Sequence, residues 1–272
     1  MKLSIITICY NDKTGLEKTS KSVISQTCKN FEWIFVDGGS TDGSAELIND
    51  IVNALIADPL TANLVGYHVS EKDKGIYNAM NKGIRRAKGE FLLFMNAGDC
   101  LYDEKVLEKV LPLLSDKDIY VGDVANDMNG KLEVDEFPRN LDPKTILDQI
   151  VFKLIPHQAA FIKRELFERY GLYREDLRIA SDWYFFYNAL VMNGATIETI
   201  LLPIAIFDMT GISSTDKNRV NERVTSQDII PCQQELFTFY RENVEIVNAF
   251  HSSRIGKLMM RAYFFIYRKF LS

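Results

Sequence analysis

Several polar clusters stand where a short apolar run ends, and each holds a residue with usable chemistry. They are Tyr10-Asn11-Asp12, Asp37-Gly38-Gly39, Glu71-Lys72-Asp73-Lys74-Gly75 and Asn96-Ala97-Gly98-Asp99. A carboxylate at Asp37 suits hydrogen bonds from a base or ribose, and the glycines beside it let a ligand approach the backbone. An Asx-turn that stops the strand and caps the next helix reads equally well there. Asp99, behind a flexible glycine, suits Mg²⁺ or Mn²⁺ bound through oxygen, a cation that would bridge a diphosphate. Taken alone, its local sequence reads better as the cap of a helix starting near Asp103. Asp182, in Ala180-Ser181-Asp182-Trp183-Tyr184, is either a general base for an acceptor hydroxyl or an acid stabilised by a helix N-terminus. The aromatics around it either stack on a sugar or fill the core. His157 suits a diphosphate or metal contact, although a lone histidine is more often structural. His68 and His251 carry no functional argument.

The elements that must position these groups alternate. Strands are expected at Leu3–Tyr10, Phe31–Asp37, Leu64–Ser70 and Glu90–Asn96, separated by helices over Leu16–Thr27, Ser44–Ala57 and Ile76–Ala87. The first helix can be capped by Asp12 or Thr14. Such alternation implies a parallel sheet covered on both faces, with ligands beyond the carboxyl ends of its strands. Further on, strands are expected at Asp118–Val124, Gln158–Ile162 and within Ala195–Ile206. Helices are expected at Pro143–Phe152 and Ser181–Met192, and the chain from about Asp216 reads as helical. No repeat or linker divides it.

With 272 residues, 47% hydrophobic and 25% charged, the chain has the composition of a globular α/β protein. A net charge of −5 speaks against nucleic acid as a partner. Cys9, Cys28, Cys100 and Cys232 are scattered without a CxxC pair, which points to free thiols in a reducing compartment rather than zinc or disulfides. No apolar run approaches a membrane span, and the N-terminal run reads as a buried strand, not a signal segment.

Read in order, SIITICYN, FEWIFVDGGSTDGS, SEKDKGIYNAMNKGIRRAKGEFLLFMNAGD, PHQAAFIKRELFERYGLYREDLRIASDWYFF and FDMTGIS resemble family 2 glycosyltransferases of the GT-A fold. The similarity spans roughly residues 1–215 and is greatest to bacterial enzymes that build capsular, colanic or lipopolysaccharide-type polymers. It implies an α/β, Rossmann-like, mostly parallel sheet: a catalytic domain at 1–215 (nucleotide half 1–100, acceptor half 101–215) and a helical extension at 216–272. It also implies inverting transfer from a nucleotide-sugar to a saccharide or lipid-linked acceptor. By the same resemblance Asp37 contacts the uracil or ribose, Tyr10, Asn11 and Asp12 line that pocket, and Asp73 lies nearby. Asp99 matches the metal-binding acid, Asp182 the catalytic base, and His157 a phosphate or acceptor contact. Many relatives carry two adjacent acids where this chain has Gly98-Asp99. The ribose-contacting acid is thus absent, and Asn96 substitutes only as a neutral, weaker ligand. Ser181-Asp182 likewise replaces a Glu-Asp pair but keeps the position of the base.

Residues 252–271 form an amphipathic pattern. Arg254, Lys257, Arg261 and Arg268 lie on one face, with Ile255, Met259, Ala262, Tyr263, Ile266 and Phe270 on another. This helix either docks on the catalytic domain or lies on an anionic leaflet, which would put a cytoplasmic protein at the inner face of the membrane. Two other functions compete with transfer: a silent nucleotide-sugar-binding scaffold, suggested by Gly98, and a two-carboxylate glycoside hydrolase, opposed by the phosphate-suited glycine turns.

Overall fold

The computed structural model describes residues 2–128, 131–142, 145–146, 149–150 and 154–208. The expected helix at Pro143–Phe152 falls largely outside them, as do Cys232, the 216–272 extension and the 252–271 pattern. The described chain runs β1 (Leu3–Cys9), α1 (Lys13–Ile24), β2 (Phe31–Asp37), α2 (Ser44–Ala57), β3 (Val65–Ser70), α3 (Ile76–Arg86) and β4 (Phe91–Phe94). It continues with β5 (Cys100–Leu101), α4 (Val106–Val110), β6 (Ile119–Met128), β7 (Lys131–Asp135), β8 (Ala160–Lys163), α5 (Glu165–Tyr170), α6 (Ser181–Phe186) and β9 (Ile197–Phe207).

These strands form one sheet in the order β3-β2-β1-β4-β8-β6-β9-β5, with β7 paired to β6. Its first four strands are parallel. β8 then runs antiparallel to β4 and β6, while β6 and β9 are parallel. Every residue of β1 and β2 is buried, as strands covered on both faces must be. Side-chain alternation sorts them between two cores. Leu3, Ile5, Phe31, Trp33, Phe35, Phe91 and Leu93 pack with Leu16, Val23 and Val52 of α1 and α2. Ile6, Ile8, Ile34, Val36, Leu92 and Phe94 pack with Met80 and Ile84 of α3, Phe167 of α5 and Phe185 of α6.

Because α3 crosses from β3 past β2 and β1 to β4, the strand order reverses between β1 and β4. The crevice outside their carboxyl ends is where ligands bind in sheets of this kind. Some boundaries differ from expectation. α1 starts three residues early because Asp12 caps it, its carboxylate accepting from Gly15 N at 2.9 Å. The expected helix at Ser181–Met192 splits into α6 and a π-helical turn, Tyr187–Met192. β5, β7 and α5 were not anticipated. β5 has only two residues and β7 is exposed throughout, so neither leaves a clear hydrophobic period.

Candidate functional site

At the end of β1, Tyr10 stands 65% exposed and Asn11 takes the left-handed conformation at φ 50°. Asn11 bridges to the following turn: its amide donates to Ser40 Oγ at 2.8 Å, and its Oδ1 accepts from Thr41 N at 2.8 Å. Asp37 is fully buried. Its Oδ2 accepts from Gly39 N (3.1 Å), Ser40 N (3.0 Å) and Ser70 Oγ (2.6 Å), while Ser40 Oγ donates to its Oδ1. Asp37 thus shapes the turn and Asp12 caps a helix. Asp73 lies across Gly38, where a side chain would meet both its carboxylate (Oδ2 2.4 Å from a Cβ) and the Tyr10 ring (3.2 Å). An aromatic face, a carboxylate and bare glycine backbone therefore meet in one place, the combination a nucleoside needs.

The loop 96–99 after β4 is held by a residue the sequence reading passed over. Thr19 Oγ1, on α1, lies 2.7 Å from Asp99 O and 3.1 Å from Asn96 O, and accepts from Gly98 N at 3.0 Å. Asp99 is only 4% exposed and does not cap α4, whose cap is Lys105; strand β5 follows it directly. Burial pushes its carboxyl up to about 6, countered in part by His157 and by the Asp208 amide that donates to its Oδ1 at 3.0 Å. Pairing of β9 with β5 delivers Asp208 to this loop. Gly98, at φ 101°, lies so close to it that a Cβ would sit 2.4 Å from Asp208 Oδ2. Asn96 Oδ1 is buried with no hydrogen-bond partner among the described residues.

Two carboxylates and an orphaned amide oxygen are hard donors, and they fit a divalent cation. No three acidic, histidine or cysteine side chains converge as a metal site among the described residues. Mg²⁺ and Mn²⁺ do not require that, since one or two carboxylates and substrate phosphates suffice.

Asp182, at the start of α6, faces His157 in the turn before β8. His157 Nδ1 lies 3.1 Å from Asp182 Oδ2, and His157 Nε2 lies 3.2 Å from Asn96 Nδ2. Asp182 Oδ1 accepts from Trp183 N (2.8 Å) and from the Tyr77 hydroxyl (2.9 Å). Burial disfavours both ions, yet their mutual hydrogen bond and attraction prevail, holding Asp182 below and His157 above their ordinary ranges. Both side chains keep some exposure, 16% for Asp182 and 17% for His157. They line a cavity of about 390 Å³ together with Phe137, Ile155, Trp183 and Phe207. Trp183, Phe185 and Phe186 are buried, so these aromatics beside Asp182 chiefly fill the core. Of the expected site residues, Asn96, Asp99, His157 and Asp182 converge. Tyr10 and Asp73 meet at the β1–β2 end, while Asp12 and Asp37 serve the backbone of that end. His68 lies on β3, and Cys9, Cys28 and Cys100 are free thiols.

The model of the family described as glycosyl transferase family 2 matches residues 4–171, more than half of the chain. The chain belongs to glycosyl transferase family 2. This glycosyltransferase is 34% identical over 186 residues to the PGL/p-HBAD biosynthesis glycosyltransferase of Mycobacterium bovis (strain BCG / Pasteur 1173P2), 67% of either chain. Its fold is similar to that of S. aureus TarS 1–349 in complex with UDP-GlcNAc, with a TM-score of 0.59 at 19% identity. That match covers 76% of the transferase and 58% of the TarS chain, less than two thirds of it. Mannosyltransferase PcManGT from Pyrobaculum calidifontis, in complex with GDP-Man and Mn²⁺, matches with a TM-score of 0.56 at 16% identity, over 97% of the transferase and 85% of that chain. The fold of the transferase is accordingly of the GT-A type, its mostly parallel sheet ending in the mixed β8-β6-β9 half.

The residues missed at the sequence level are Thr19, Tyr77 and Asp208. The last two stand inside the quoted stretches DKGIYNAMNKG and FDMTGIS, but nothing in the linear order says that they reach Asp182 or Asp99.

Proposed function

We propose that this transferase moves a sugar from a UDP-linked donor to a hydroxyl of a saccharide or lipid-linked acceptor, in one inverting displacement, during assembly of a bacterial surface polymer. The observation that carries the reading is the hydrogen-bonded line Tyr77–Asp182–His157–Asn96, which joins the 390 Å³ cavity to the loop of Asp99. The cavity takes the acceptor, and the crevice between β1 and β4 takes the nucleotide. UDP as carrier is supported by the ligand of TarS, and a surface glycoconjugate as product by the name of the mycobacterial relative.

The uracil and ribose lie against Tyr10, Asn11 and Asp73. Asp12 and Asp37 hold the two turns that border them, so Asp37 acts on the nucleoside chiefly through the turn it shapes. Among the described residues Asp182 Oδ2 meets only His157, and it keeps a lone pair for the acceptor hydroxyl. That hydroxyl gives its proton to Asp182 as its oxygen bonds to the anomeric carbon. The bond from that carbon to the diphosphate breaks, and its electron pair leaves on the diphosphate oxygen. His157, with Nδ1–H on Asp182 and Nε2 accepting from Asn96 Nδ2, orients the base and ties it to the loop beside the diphosphate. Asp99 and Asp208, with Asn96 Oδ1 beside them, would hold a Mg²⁺ or Mn²⁺ ion, which when bound neutralises diphosphate charge. Asp208 thereby supplies the second carboxylate that Gly98 denies this chain.

In this reading residues 1–215 carry the catalytic domain, and the amphipathic sequence pattern at 252–271 of the extension would either dock on that domain or meet an anionic leaflet. No helix among the described residues is long and apolar enough to cross a membrane.

The test is UDP release from a panel of UDP-sugars with saccharide acceptors and Mn²⁺, wild type against Asp182→Asn. Turnover lost in the variant with UDP-sugar binding retained supports the assignment. Unchanged turnover in Asp182→Asn overturns it, and donor binding without turnover in the wild type would instead indicate a silent nucleotide-sugar-binding protein.

A further inference from the structure

The segment 172–182 that carries Asp182 is attached chiefly to α3, the helix between β3 and β4. Three side chains from the first turns of α3 make the attachment, at i, i+1 and i+4 on one helix face. Asn81, almost wholly buried, pairs with Tyr173 as a strand neighbour would: Nδ2 donates to Tyr173 O at 2.8 Å, and Oδ1 accepts from Tyr173 N at 3.0 Å. Asn81 Nδ2 also reaches Glu175 Oε1 at 2.9 Å, and Asn78 Nδ2 donates to Glu175 Oε2 at 2.8 Å. Tyr77 completes the set. Its hydroxyl lies 2.9 Å from Asp182 Oδ1 and 2.5 Å from the carbonyl of Ile179.

α3 is itself firmly based. Gly83 lets it press on β1, where a Cβ would meet Ile6 Cγ2 at 2.5 Å. Lys82 is paired with Glu71 at 2.8 Å, in the loop that also bears Asp73.

We propose that Tyr77 is the positioning residue for the base: it fixes Asp182 relative to the donor and serves both protonation states of its carboxylate. This rests on the reading of Asp182 given above. A hydroxyl has one hydrogen and two acceptor lone pairs, and Tyr77 has two acceptors in reach. While Asp182 is an anion, Tyr77 donates to it. Once Asp182 has taken the acceptor's proton on Oδ2, its Oδ1 stays a carbonyl oxygen and goes on accepting from Tyr77, with Ile179 O within reach of the same hydroxyl. The carboxyl thus keeps a partner through the step without any movement of the backbone. Tyr77 itself stays a phenol, because burial and the neighbouring Asp182 charge push its ionisation well above the usual range.

The experiment compares wild type, Tyr77→Phe, Asp182→Asn and the double variant in Mn²⁺-dependent UDP release. The donor is whichever UDP-sugar the wild type turns over fastest, with saccharide hydroxyls or water as acceptor. Phenylalanine keeps the ring in its place, so melting and UDP binding should stay near wild type. The expected result is an unchanged KM for the donor and a kcat lower by about tenfold, the scale of a misplaced catalytic group. The acid limb of the kcat profile should shift to higher pH, because the charged form of Asp182 has lost a donor. In the Asp182→Asn background, Tyr77→Phe should add nothing further. Wild-type kcat and an unmoved pH limb in Tyr77→Phe, with Asp182→Asn inactive, would overturn the role of Tyr77 alone. An active Asp182→Asn overturns the assignment of the base, and with it this inference. Should Tyr77→Phe fail to fold, fluorinated tyrosine at position 77 keeps the ring and alters only the hydroxyl; an unmoved kcat and pH limb there would likewise overturn the proposal.

Discussion

The turns that follow β1 and β2 and the cluster around Asp99 and Asp182 use their acids in opposite ways. In the first, Asp12 and Asp37 spend their oxygens on backbone amides and hydroxyls of their own turns, so the backbone is what the ligand meets. In the second, Asp182 meets His157 and Asp99 accepts from the Asp208 amide, across sequence separations of 25 and 109 residues. The first arrangement is local and costs little. The second buries charges side by side, raising Asp99 and His157 and lowering Asp182. Turn-building acids make a rigid platform, whereas mutually dependent acids make groups poised for proton and charge transfer.

This contrast can be broken most sharply at Asp99. Asp99→Asn should weaken Mn²⁺ binding to the UDP complex by about 100-fold, on the scale of losing a coordinating charge. Titration calorimetry or Mn²⁺ electron paramagnetic resonance measures it, and an unchanged affinity would place the cation elsewhere. The same variant should make the metal-free protein more stable. A carboxyl whose folded pKa lies above its unfolded 3.8 carries a burial cost that grows as pH rises from about 4 and is complete above about 6. The gain in melting temperature over wild type should therefore be larger at pH 8 than at pH 4. Asp208→Asn should have a smaller effect, roughly a tenfold loss of Mn²⁺ affinity, because Asp99 remains.

A third comparison is thermal. The raised His157 stabilises below its unfolded value of 6.5 and loses that contribution as pH rises through its folded pKa. The lowered Asp182 stabilises above 3.8 and loses its contribution as pH falls through its folded pKa. His157→Gln should then lower the melting temperature most near pH 5–6, with the difference shrinking towards pH 8. A difference that does not vary with pH would mean the pair is not ionic. The smallest effect belongs to the platform. Asp12→Ala removes an N-cap, worth about 1 kcal/mol of stability by denaturant unfolding, and should leave kcat near wild type.

Much of the fold was legible because its first half obeys simple periods. Phe31–Asp37 and Ser44–Ala57 coincide with their expected bounds, and β1, β3, α3 and β4 differ only at their ends. Strands buried on both faces leave continuous apolar runs, and helices between them leave the 3.6-residue pattern. The second half was harder to read, since β5 is two residues long and α6 passes into a π-helical turn. The reading of Asp99 as a cap failed for a related reason. The local sequence offers a helix start at Asp103, whereas pairing with β9 draws Cys100–Leu101 into the sheet first.

By itself the sequence determined the alternation of elements, the polar strand ends facing one crevice, and which residues carry usable chemistry. Those follow from local propensity and period, which neighbours in the chain decide. Only the tertiary structure decided which of those residues work on one another. It set Asp182 against His157, brought Asp208 beside Gly98 and Asp99, and turned Tyr77 from a core aromatic of α3 into a partner of Asp182. Hydrogen-bond geometry and the loss of solvent around a charge depend on distances of a few ångströms between segments about a hundred residues apart, and no linear spacing encodes them.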